Sequence, residues 1–324
     1  MKAIGGYFEL ERVDGQEYYP DLLKLNTGRN CLEYLIRAGN FKKIYLPKFS
    51  CKVLLEPIKK LNVEYEYYSI DQNLNPVLSK LPKMDEVLLY INYFGVKDLA
   101  VRELSHQIEN LIVDNSQAFF SDSVSSLGTF YSARKFFGVP DGAYLLSNLN
   151  VKEELKMDFS WDRMSHLLKR LELGAESGYS DFQDNRVKLS NQPILHMSEL
   201  TQFLLSQIDY SKAKQRREEN FLYLHQQFSE VNQIDLSVLD VKGPMVYPLY
   251  LENEDLRKEL IQNKIFVASY WPNIMEECPA NSLDYKLAKY ILPLPVDQRY
   301  SLEDMERICT VLLPVLEKNH QLKS

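Results

Sequence analysis

Between Phe41 and Tyr144, short runs rich in Val, Ile, Leu, Tyr and Phe alternate with helix-like stretches, and this alternation constrains the fold more than any other feature of the chain. The runs KKIYLPKF, VEYEYYSI, EVLLYINYF, NLIVD, GTFYSARK and GAYLLSN are bounded by Pro, Asn, Asp or Gly and read as strands. Helix candidates lie between several of them. NCLEYLIRAG puts Cys31, Leu32, Leu35 and Ile36 on one face and stops at Gly39, while VLLEPIKKL and DLAVRELSHQI alternate with the later strands. Repeated β-α-β order predicts an α/β fold whose mostly parallel sheet is covered on both faces. NLIVD, YSARK and GAYLLSN leave little room for helices, so this part of the sheet need not be uniformly parallel.

A second pattern begins near Ser198. Leu200, Phe203, Leu204 and Ile208, then Phe221, Leu224 and Phe228, keep helical spacing and predict one long helix or two consecutive ones. The charged run KAKQRREE, residues 212–219, reads as the solvated side of that helix. After Gly243-Pro244 come a strand MVYPLYL, a helix EDLRKELIQNK, a strand IFVASYW and a final helix LEDMERICTVLLPVL, an α+β tail. A length of 324 residues has room for two domains. We expect a large domain over 1–206, with an N-terminal segment 1–20, and a small C-terminal domain over 207–324.

Composition excludes several functions. Thirty-eight Lys and Arg stand against 45 Asp and Glu, a net charge of −7, so counterion release cannot dominate binding and nucleic acid is not the expected partner. No stretch approaches the roughly 20 apolar residues that span a bilayer, and the opening MKAIGGYFELERVDG lacks an apolar signal run. The expectation is a cytoplasmic protein without a membrane partner. Cys31, Cys51, Cys278 and Cys309 are widely spaced and are expected to be ordinary buried thiols, with no metal site. Phosphate-loop, dinucleotide, serine-hydrolase and zinc-protease motifs are absent, and His106, His166, His196, His225 and His320 are scattered.

Three segments carry chemistry. Asn26-Thr27-Gly28-Arg29-Asn30 is a polar turn leading into an amphipathic helix, where free N–H groups and the helix dipole favour an anion. A plain N-cap by Asn26, Thr27 or Asn30 accounts for the same residues. Asp114 follows an apolar strand and so projects from the edge where ligands of α/β sheets bind, although a turn or a metal ligand would also place an Asp there. Lys135 closes a Tyr/Phe-rich strand before Gly138-Val139-Pro140-Asp141-Gly142; desolvation there would lower its pKa, as an amine nucleophile requires. A lysine, an acid and a helix N-terminus are the parts a pyridoxal phosphate site needs.

Over nearly its whole length the sequence resembles the DegT/DnrJ/StrS sugar aminotransferases, pyridoxal phosphate enzymes with the aspartate-aminotransferase fold (fold type I). The likeness rests on Thr27-Gly28-Arg29, on YLPKFSC, on Asp114-Asn115-Ser116-Gln117-Ala118, on Lys135 followed by Pro140-Asp141-Gly142-Ala143, on HMSELTQFLLSQIDYSKAKQRREEN, on DLRKELIQNKIFVASYWP and on ILPLPVDQRYSLEDMERI. The resemblance implies that Lys135 holds pyridoxal 5'-phosphate as an internal aldimine and then moves protons, with Asp114 on the pyridinium nitrogen. It also implies Gln117 near the ring hydroxyl, the phosphate cradled by Thr27, Gly28 and Arg29 through backbone N–H groups, and Ser132 as a hydroxyl contact. Cys51 stands where the family usually carries an aromatic residue against the cofactor ring.

The implied activity is transfer of an amino group from an amino acid, glutamate by family likeness, to a nucleotide-linked keto-sugar of the kind used for cell-surface polysaccharide, by a homodimer. A pyridoxal phosphate enzyme acting on another carbonyl substrate and a non-catalytic regulatory or interaction protein are the alternatives. The family's sugar dehydratases carry histidine at the lysine position, which Lys135 argues against.

Overall fold

A computed structural model describes residues 4–12, 14–236 and 241–321, with side chains through Glu317. Met1–Ala3 and Val13 of the opening stretch, and the side chain of His320, lie outside the described residues. The large sheet has eight strands: β1 (Leu23–Leu25), β2 (Lys43–Pro47), β3 (Glu64–Ile70), β4 (Pro76–Val77), β5 (Glu86–Ile91), β6 (Leu111–Asn115), β7 (Gly128–Ser132) and β8 (Ala143–Leu146). Their spatial order is β1-β8-β7-β6-β5-β2-β3-β4. Strands β3, β2, β5, β6 and β7 run parallel, while β8 on β7, β1 on β8 and β4 on β3 are antiparallel. Val87–Tyr90 and Leu111–Val113 are buried along consecutive residues, as strands covered on both faces must be.

Helix α1 (Gly28–Gly39) packs against the start of β7, where a Cβ on Gly128 would meet Leu35 Cδ2 at 2.5 Å. Its left-handed terminal residue is Asn40 (φ 50°) rather than Gly39, and the Asn40 N–H closes on the Ile36 carbonyl at 3.1 Å. Helices α2 (Leu55–Lys60) and α3 (Asp98–Gln107) connect strands as predicted, and α4 (Ser165–Leu173) and α5 (Tyr179–Lys188) follow β8. The pattern from Ser198 resolves into two helices, α6 (Glu199–Ser206) and α7 (Tyr210–Phe228). Each has its own cap: Ser198 Oγ accepts the Thr201 N–H at 3.1 Å and Asp209 Oδ1 that of Lys212 at 2.9 Å.

The C-terminal part pairs β9 (Val246–Tyr250) antiparallel with β10 (Ile291–Pro295) and surrounds them with α8 (Glu254–Gln262), α9 (Pro272–Glu277), α10 (Leu283–Tyr290) and α11 (Leu302–Gln321). Three expectations change here. IFVASYW is not a strand: the Arg257 guanidinium takes the Val267 and Ala268 carbonyls at 3.3 and 3.1 Å, replacing ladder hydrogen bonds. KAKQRREE is not wholly solvated, because Arg217 is 1% exposed. It donates to Gln298 Oε1 (2.8 Å) and to the Pro244 (3.0 Å) and Phe136 (3.2 Å) carbonyls. All four cysteines are free; Cys31 and Cys309 are buried, but Cys51 and Cys278 are only half-buried.

Candidate active site

Strand order reverses between β2 and β5, since the chain adds β3 on one side of β2 and later β6 and β7 on the far side of β5. The carboxyl ends of parallel strands beside such a reversal are where α/β sheets bind ligands. Asp114 is the fourth residue of β6, in register with Ile91 and Phe130. Ser132 ends β7, and a single 3-10 turn, Ala133–Lys135, carries the lysine off that same edge.

The Asp114 carboxylate is buried and accepts the Ser116 N–H at 2.8 Å. Burial raises its pKa above the ordinary aspartate value, while the Ser116 hydrogen bonds and the Lys135 charge pull the other way. Lys135 keeps contact with solvent although protein surrounds it on its other sides. That surrounding protein lowers its pKa; the nearby Cys51 and Asp114 oppose the shift and Arg134 and Arg186 add to it. Acid and amine therefore sense each other's charge, while burial displaces each toward its neutral form.

The turn before α1 joins them. A Cβ on Gly28 would stand 3.2 Å from Ser116 Oγ and 3.6 Å from the Phe130 ring, so the turn lies directly on the Asp114 segment. Thr27 caps α1 by accepting the Asn30 N–H at 3.2 Å, which leaves the Gly28 and Arg29 N–H groups in a first turn with no carbonyl behind them. The Arg29 guanidinium is turned away, paired with Glu56. Gln117 Oε1 accepts the Phe94 N–H at 2.8 Å, whereas its buried Nε2 has no partner among the described residues. Ser132 is buried and its hydroxyl does not cap the turn that follows it.

The turn after the lysine is locked from behind. Gly142, at φ +104°, donates its N–H to the Asn26 carbonyl at 2.7 Å and accepts the Ala133 N–H at 3.1 Å, which ties the lysine turn to the helix-capping turn. The fully buried Asp141 carboxylate is held by Arg163 and by the Thr201 hydroxyl. Arg163 in turn reaches Asp158 at 2.6 Å.

No family model and no curated protein matches the sequence. Solved structures do resemble the fold. A DegT/DnrJ/EryC1/StrS aminotransferase from Brucella abortus superposes with a TM-score of 0.62 at 13% identity, over 91% of this chain and 85% of that one. The Helicobacter pylori aminotransferase of pseudoaminic acid biosynthesis gives 0.60 at 14% identity, over 91% and 86%. A Bacillus subtilis protein with PMP as its bound cofactor gives 0.63 at 13% identity, over 91% and 73%. The fold is that of the type I aminotransferases.

Within this type I fold, every site residue named from the sequence lies on the turn before α1, at the end of β6 or on the turn after β7. Sequence reasoning missed two residues beside Lys135. Tyr270 places its ring centroid 6.0 Å from Lys135 Nζ, and burial pushes its hydroxyl up to about 12. It arrives from the stretch read as a strand, and nothing in the residues around it pointed toward the lysine. Arg134 adjoins Lys135 in the chain, and a charged residue inside a turn of aromatics was the only signal. Among the described residues no group of three metal-ligating side chains converges, and no helix is long and apolar enough to cross a membrane.

Proposed function

We propose that the protein is a pyridoxal 5'-phosphate-dependent aminotransferase that moves an amino group from an amino acid, glutamate first among them, to a nucleotide-linked keto-sugar in the cytoplasm. The reading rests above all on Lys135, Asp114 and the free N-terminus of α1 coming together at one edge of the sheet, in a fold shared with sugar aminotransferases. The residues fit the cofactor: a Cβ at Gly28 would crowd Ser116 Oγ at 3.2 Å, so glycine keeps the cradle open, and Gln117 Nε2 is a buried donor awaiting an acceptor. When bound, the cofactor supplies an electrophilic aldehyde and an electron-withdrawing ring. Lys135 contributes the amine nucleophile and carries protons to and from the substrate carbon. Asp114 holds a proton at the ring nitrogen, Gln117 donates to the ring hydroxyl, the Gly28 and Arg29 N–H groups hold the phosphate with Thr27 fixing their turn, and the Ser132 hydroxyl adds a further donor.

The direct test is a half-reaction. Protein loaded with pyridoxal phosphate and mixed with glutamate should convert its cofactor to the pyridoxamine form and release 2-oxoglutarate. If no amino acid brings about that conversion, the aminotransferase assignment fails and a non-catalytic role takes its place.

The domain division is proposed at 206/207, in the break between α6 and α7. A homodimer is proposed as well. Phe159, Trp161, Leu171, Leu173, Tyr179 and Val187 are exposed on α4, α5 and the turn before them, as are Ile4, Tyr7 and Phe8 near the N-terminus. Apolar side chains this dense on one stretch mark an association surface. Sedimentation at micromolar protein should report twice the 37.9 kDa chain mass, and a sharp monomer boundary would count against the dimer.

A further inference from the structure

Among the described residues, Arg134 is the one arginine near Lys135 without a protein partner. Arg29 pairs with Glu56, Arg163 with Asp141 and Asp158, and Arg186 donates to Gln183. Arg134 has neither a hydrogen bond nor an ion pair among the described residues, although it is half-buried. Asp141, the carboxylate whose charge it senses, is already occupied by Arg163 and Thr201. Burial, with the Arg29 and Arg186 charges, lowers its pKa to about 10, so the guanidinium is still protonated at neutral pH. A charge kept partly out of water without a counter-ion is costly and calls for an anion.

Location says which anion. Arg134 sits in the 3-10 turn whose Ala133 N–H bonds to Gly142, and Gly142 bonds to Asn26, two residues before Gly28 at the start of α1. That 12-residue helix carries no acidic residue in its first turn. His166 is packed close enough to feel the Arg134 charge, and the Asp181 carboxylate that also acts on it is already paired with Lys169 at 2.7 Å.

We propose that Arg134 binds the phosphate of the cofactor, adding a charged planar donor to the backbone N–H groups of Gly28 and Arg29. The proposal rests on the cofactor reading given above. It sets a local cation against the unfavourable overall field that a chain of net charge −7 presents to a dianion. Guanidinium donors bind phosphate oxygens in pairs, a geometry an ammonium cannot reproduce.

The test compares pyridoxal phosphate with pyridoxal, which lacks the phosphate, by equilibrium titration of apo protein. Arg134→Gln should weaken pyridoxal phosphate binding by about tenfold to a hundredfold, and pyridoxal binding by less than about twofold. Arg134→Lys should fall between the two proteins, and unchanged circular dichroism melts would show that both variants fold. Equal weakening of the two ligands, or none, overturns the proposal. Should wild-type protein bind neither ligand, the cofactor reading fails by itself, and inorganic phosphate then decides the role of Arg134. A phosphate-induced rise in melting temperature that Arg134→Gln abolishes supports an anion site there, and no rise in wild type overturns it.

Discussion

Replacing Lys135 with alanine should abolish covalent capture of pyridoxal phosphate and lower amino-transfer turnover by at least about 10⁴-fold. One side chain is asked to serve as nucleophile and as proton carrier, and positioned proton transfer alone contributes roughly 10²–10⁴-fold. Lys135→Arg keeps a cation on the same turn yet offers no free amine, so it should fail as completely. After borohydride reduction, peptide mass mapping should find the cofactor mass on the Lys135 peptide in wild-type protein only; label persisting in Lys135→Ala would refute the assignment. Asp114→Asn provides the contrast. It leaves the amine in place, so the label should remain, while turnover falls by about 10²-fold or more as the ring loses its buried carboxylate. The lysine also predicts a pH profile. Surrounding protein lowers its pKa, so more of it is neutral at a given pH than of an ordinary lysine. Capture of the cofactor as a function of falling pH should therefore decline at lower pH than capture by a free amine such as N-acetyllysine.

The alternation of apolar runs and helices between Phe41 and Tyr144 was enough to place the parallel strands, because a strand covered on both faces must be apolar along consecutive residues. It was enough to put Asp114 and Lys135 at the ligand edge of the sheet too, since each lies within a few residues of a strand end. The sequence could not show what depends on distant packing. Tyr270 reaches the lysine because Arg257 takes the carbonyls of the preceding residues and keeps that stretch out of a ladder. Asp141 looked like a turn residue before Gly142, yet it meets Arg163 and Thr201, 22 and 60 residues further along the chain. Helices α4 and α5 escaped notice for the opposite reason: they bury few apolar side chains and leave Leu168, Leu171 and Phe182 outside, so no core-facing stripe marks them.

Arg217 is where the periodic reading failed most, and it carries the second large prediction. Helical spacing assigned KAKQRREE to solvent on charge alone, but α7 turns one of its two adjacent arginines fully inward. The Arg217 guanidinium lies 4.4 Å from the Phe136 ring centroid and donates to the carbonyl of Phe136, the residue immediately after Lys135. Gln298 Nε2 reaches the same carbonyl at 2.9 Å, and Pro244 is held at 3.0 Å, so a single side chain fastens α7, the approach to β9 and the loop after β10 onto the lysine turn. Arg217→Ala removes several charge-assisted hydrogen bonds, strands the Pro244 carbonyl and opens a cavity, against which stands the recovered cost of burying a charge. The losses win, by about 3 kcal/mol. Its neighbour Arg216, on the outer side and paired with Glu219, should cost about 0.5 kcal/mol or less when replaced by alanine. Thermal melts of the two variants side by side are decisive: equal melting temperatures would mean that Arg217 does not fasten these parts together. A selective drop for Arg217→Ala, accompanied by slower borohydride labelling of Lys135, would show that the helix from the C-terminal half holds the lysine turn in position.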